Sequence, residues 1–210
     1  MWAFNPQLLS AQGFSLQEVF KKLNERYGFA KPPQHPLDLD PKTSSLMFQL
    51  GTFTNSAKKP VNVTLGIFNN GITGETTSTT ADATEFLQDL TAWMTKEFGF
   101  QLPSDINKAY LSQITVELAV PLSAANPKLQ AISGMLSTNA KALDGKPRQF
   151  EIGALNFWSE DVGFQLAPAP FRLERKWGVP FSSNQYFSLA PLETQPHLNV
   201  INELERILKS

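Results

Sequence analysis

Hydrophobic residues in this sequence switch between a period of two and a period near 3.6, and each switch is marked by turn or capping residues. Val61, Val63, Leu65 and Ile67 alternate with polar or small neighbours, which places them on one face of a β-strand. Asn69-Asn70-Gly71 follows at once. Asn-Gly readily takes the positive φ angles of a tight hairpin turn, so Ile72 to Thr77 is expected to return as a polar strand at the edge of the sheet. Upstream, Leu46, Phe48 and Leu50 repeat the same alternation.

The helical segments are equally well bounded. Ser15-Leu16-Gln17-Glu18 is a capping box, Leu16, Val19, Phe20, Leu23 and Tyr27 recur at helical spacing, and Gly28 supplies the left-handed stop. The spacing predicts a helix over 15–27. Asp82-Ala83-Thr84-Glu85 repeats the capping logic ahead of Phe86, Leu87, Leu90, Trp93, Met94 and Phe98, with Gly99 at the end. Asn126-Pro127 opens a third helix with Leu129, Ile132 and Leu136 on one side. Gln195-Pro196 opens a fourth, with Leu198, Ile201, Leu204 and Leu208 as its apolar stripe.

Further strands are read at Ile114 to Val120, at 149–158, and from Phe171 onward. In the second of these, Phe150, Ile152, Ala154 and Trp158 share one face while Leu155 and Phe157 share the other, so both faces turn apolar near its end. In the third, Phe171, Leu173 and Trp177 alternate with Arg172, Glu174 and Lys176. Arg175 intrudes on the apolar side, where it must be paired, snorkelling or close to an open edge. The element order predicts an α+β fold: one domain over 1–210, with a mostly antiparallel sheet of five or six strands and helices mainly on one side. Residues 1–14 read as an N-terminal arm and 29–44 as a proline-rich connector within the domain.

Composition narrows the function. A net charge of −1 leaves no basic footprint for nucleic acid. No stretch reaches the roughly 20 apolar residues that cross a bilayer, and the opening residues lack a basic region and cleavage site, so a cytoplasmic protein away from membranes is expected. The absence of cysteine excludes disulfides and thiolate chemistry. Charged residues make up only 18% of the chain, against roughly a quarter in an ordinary domain, while sixteen Phe and four Trp supply large apolar rings. Part of that surface is therefore expected to meet a second copy or a protein partner.

Chemistry-bearing motifs are sparse. His35, Asp38 and Asp40 are the one cluster with metal-ligand character, but the prolines around them favour an ordinary acidic loop, and neither metal nor cofactor is expected. His197 falls in the first turn of the last helix, where the dipole disfavours a cation, so a neutral, exposed or capping imidazole is expected. Glu151, Glu160 and Asp161 could pair for acid–base work, yet no nucleophile elbow or phosphate-binding loop accompanies them. The leading reading is a non-enzymatic interaction or assembly domain whose contact residues are Phe157, Trp158, Arg175 and Trp177. Second stands a small-molecule-binding domain with an aromatic-lined pocket oriented by Arg175 or Arg148, and third a carboxylate- or metal-dependent hydrolase.

Overall fold

The structure, a computed structural model, describes residues 1–4, 15–35, 38, 40, 45–103, 105–140, 145–146, 148–160 and 167–210. The chain is α+β with antiparallel pairing, as the periodicity predicts. Its strands form two sheets, of five and four strands, in place of one sheet of five or six. Residues 1–210 divide accordingly into two compact units, Met1–Tyr110 and Leu111–Ser210. Alternation reports which face of a strand is buried and is silent on which strand lies beside it, so this division leaves no mark in the pattern.

The first unit orders its strands β2-β3-β4-β1-β5. These are β1 (Trp2–Ala3), β2 (Leu46–Thr54), β3 (Pro60–Phe68), β4 (Gly71–Thr76) and β5 (Asn107–Lys108). Helices α1 (Leu16–Tyr27) and α2 (Thr80–Phe98) bury Val19, Phe20, Leu23, Tyr27, Phe86, Leu87 and Leu90 in one core with Phe48, Val63 and Leu65 of the sheet. Two polar clasps hold the helices together. Tyr27 donates to Asp89 at 2.6 Å beside a bidentate Arg26 bond to the same carboxylate, and Lys22 pairs with Glu97. Burial, reinforced by the Asp89 carboxylate, pushes the Tyr27 hydroxyl well above its ordinary range.

Four sequence expectations change here. The first residues of the arm are a strand: Trp2 and Ala3 pair with β4 on one side and β5 on the other, so β4 is interior rather than an edge. The arm's remainder, 5–14, lies outside the described residues. Gly71 permits this pairing, because a Cβ there would sit 2.1 Å from the Trp2 carbonyl oxygen, at a φ of +147°. Leu50 occupies a bulge at φ +58° and points outward, which hands the inward positions to Gly51 and Phe53. Helix α2 starts three residues early. Thr79 is its cap, accepting from the Asp82 N–H at 3.1 Å and donating to the Asp82 carboxylate at 3.0 Å, so Asp82 is the fourth residue of the box and not its first.

The second unit orders its strands β6-β9-β8-β7: β6 (Ser112–Glu117), β7 (Ala154–Phe157), β8 (Phe171–Arg175) and β9 (Gln185–Ala190). One face carries Ile114, Val116, Leu155, Leu173 and Tyr186 against Ile201, Leu204 and Leu208 of α4 (Thr194–Leu208). Helix α3 (Gln130–Asn139) follows an Asn126-capped turn as expected, but it buries none of its residues, and Leu129, Ile132 and Leu136 stand exposed. Among the described residues, no helix is long and apolar enough to cross a membrane.

Candidate functional site

Apolar exposure is concentrated in the second unit. Fourteen large apolar side chains stand exposed among the described residues; Leu16 and Leu50 belong to the first unit, and the other twelve to the second. Among the described residues, the first core closes over eighteen buried apolar side chains and the second over six. A unit that buries so few and exposes so many presents a surface suited to a partner.

The geometry is most specific at β7, which ends the sheet. Arg175 N–H donates to the Gly153 carbonyl at 2.7 Å, and Lys176 N–H donates to the Gln185 carbonyl at 2.9 Å. Backbone groups of a strand alternate sides, so Gly153, Leu155 and Phe157 direct theirs at β8 while Ala154 and Asn156 direct theirs at the open edge. The segment Ala154-Leu155-Asn156-Phe157-Trp158 holds no proline and no charge, the two devices that ordinarily blunt an edge. Phe157, 60% exposed, packs at 5.8 Å between ring centroids on Phe171; Trp158, 73% exposed, lies on the opposite face under Arg172. The expected strand over 149–158 is thus confined to 154–157. Ahead of it the chain is held from outside the sheet, with Phe150 N–H donating to Ser137 Oγ of α3.

The remaining predicted site residues do not join β7 in one cluster. Arg175 keeps only 10% of its side chain exposed. It pairs with Glu151 at 3.1 Å, donates to the Phe181 carbonyl at 3.0 Å, and lies over the Phe181 and Tyr186 rings. Its neighbours Glu151 and Phe181, with Pro121, Gln149 and Asn184, line an open depression of about 540 Å³. Trp177 is 96% exposed, in a turn that ends β8 at Arg175 through Gly178 at φ +78°, so it does not continue the Phe171–Leu173 face. Arg148 is exposed.

His197 differs from its expectation in burial, being fully enclosed rather than exposed or capping. Its Nδ1 and Nε2 each lie 2.8 Å from a hydroxyl, those of Ser112 and Ser188. Ser188 donates to the Arg172 carbonyl at 3.0 Å, so it accepts from Nε2–H, and Nδ1 accepts from Ser112. Burial holds the imidazole below its ordinary pKa. Serine and histidine here bridge β6, β9 and α4 inside the core, closed off from solvent. Periodicity could have found this position: His197, Ile201, Leu204 and Leu208 fall on one helical stripe.

The other polar candidates are spent on local structure. Asp38 accepts from the backbone of Gln34 and His35 at 2.8 and 2.7 Å, and no group of three or more His, Asp or Glu gathers as a metal site among the described residues. Glu160 is exposed, and Asp161 lies outside the described residues. The fold and site together define an α+β chain of two units with a sheet edge at β7 that is uncharged and, among the described residues, unpaired. Compared with protein-family models, curated proteins and solved structures, the chain matches none.

Proposed function

We propose that this chain is a non-enzymatic assembly protein whose second unit pairs with a second copy of itself, β7 against β7. The observation that carries the reading is the outward-facing, uncharged hydrogen-bonding edge at Ala154 and Asn156. An antiparallel pair must keep matching faces together, so the register has to join residues of equal parity. With Asn156 of both copies on the two-fold axis, the outward N–H and C=O groups exchange bonds, Leu155 meets the partner's Phe157, and Ala154 meets the partner's Trp158. Large side chains then lie against smaller ones on both faces, and the two four-stranded sheets join into one. Arg175 has a supporting part in this reading, fixing Gly153 and Glu151 beside the strand.

Light scattering across a concentration series tests the proposal. The wild-type chain should be a dimer that dissociates on dilution. Asn156→Pro removes an outward donor without touching the β7–β8 ladder, so it should be monomeric with an unchanged urea midpoint. Trp158→Ala should weaken association by roughly tenfold or more. A monomeric wild type, or an Asn156→Pro protein that still dimerises, overturns the reading.

A further inference from the structure

The first unit holds a cavity of about 360 Å³, partly open to the surface, between its two helices and its sheet. Val19 and Leu23 of α1, Leu65 and Ile67 of β3, and Leu90 and Met94 of α2 are part of its wall. Protein interiors ordinarily leave few voids larger than a water molecule. This space equals roughly twelve waters at about 30 Å³ each, and a water needs two to four polar partners to reside in such a place. Among the described residues the lining offers a single polar side chain, Thr91, whose hydroxyl already donates to the Leu87 carbonyl at 2.8 Å. Water is therefore a poor occupant, and the size falls within the range of small-molecule sites.

We propose that this cavity binds an uncharged aliphatic molecule, such as a medium-length alkyl chain or aliphatic alcohol. Among the described residues the lining holds no Lys, Arg or His, which sets the charge class: a carboxylate carried inside would lose its hydration and gain no counter-ion from them. Among the described residues, nine branched aliphatic side chains outnumber the three rings of Phe4, Phe20 and Phe100, and with Met94 they suit a flexible hydrocarbon, because Met adjusts its shape to irregular apolar contents. Thr91 retains lone pairs that can accept from an alcohol. Leu16, exposed and also part of the lining, marks where the cavity reaches the surface. The site lies in a different unit from β7, so its failure and the failure of the assembly reading are separable.

Calorimetric titration of the full chain with decanol and decanoate at neutral pH tests the assignment. Decanol should bind saturably at one site per chain and raise the melting temperature, and decanoate should bind at least tenfold more weakly. Val19→Phe, which fills the cavity, should cut decanol affinity at least tenfold. Should that variant fail to fold, transferred magnetisation from the decanol chain to the Met94 methyl in the wild type decides the matter. No saturable decanol binding, no Met94 contact, or unchanged affinity in a folded Val19→Phe protein overturns the site. Equal binding of decanoate overturns the ligand class.

Discussion

Replacing His197 by Leu should weaken the second unit in a way that depends on pH and on two serines. The imidazole satisfies two buried hydroxyls at 2.8 Å each. Leucine has comparable bulk and no polar atom, so Ser112 loses its acceptor and Ser188 its donor. Each buried group left wanting costs about 1–3 kcal/mol, so the substitution should cost about 2–6 kcal/mol at pH 7.5. Replacing Ser112 and Ser188 by Ala in the same protein should recover all but about 1 kcal/mol, since an apolar set of similar shape owes no hydrogen bonds. The sign of the pH effect follows from burial, which lowers the folded pKa below the unfolded value of 6.5. Above 6.5 both states are neutral. As pH falls below it, the unfolded chain takes up a proton that the folded chain refuses, and stability declines by up to about 1.4 kcal/mol per pH unit until the folded pKa is reached. Urea unfolding of the wild type and His197→Leu at pH 7.5 and 5.5 measures this, because the difference between the two proteins cancels carboxylate titrations common to both. The same pH dependence in both proteins, or a triple variant no more stable than His197→Leu, would refute the reasoning.

Two further substitutions test the first unit. Thr79→Ala should cost about 1 kcal/mol in a urea titration by removing the cap of α2, and a protein of unchanged midpoint would return the cap to Asp82. Gly71→Ala should cost on the order of 2–4 kcal/mol and free β1, because the new methyl meets the Trp2 carbonyl; an undisturbed Trp2 fluorescence spectrum and an unchanged midpoint would contradict the packing.

Helices α1 and α4, the β3–β4 hairpin and the α+β class were legible because capping residues and apolar period are local properties. Gly28 and Gly99 take the left-handed conformation their positions demand, at φ +61° and +69°. What stayed hidden depends on neighbours distant in sequence. Nothing in Trp2-Ala3 announces a strand until Gly71 opens room beside it, and the bulge at Leu50 shows only as a break in pairing between Phe48 and Gly51. Leu129, Ile132 and Leu136 form a helical stripe that meets no core, since periodicity marks an apolar face without saying what covers it. For the candidate site, the two apolar faces near Phe157 and Trp158 were readable. The direction of the outward N–H groups required the ladder to β8; His197 lies on the stripe of Ile201, Leu204 and Leu208, and only its serine partners required the approach of β6 and β9.

The chain has no cysteine, which permits one direct test of the pairing between copies. In the proposed register Asn156 opposes itself in a hydrogen-bonded pair, with Cα atoms about 5.5 Å apart, inside the range a disulfide spans. Under mild oxidation Asn156→Cys should therefore convert to a covalent dimer, while Trp177→Cys, in its exposed turn, should remain largely uncrosslinked. Failure of Asn156→Cys to crosslink, or crosslinking no faster than Trp177→Cys, would contradict assembly through β7.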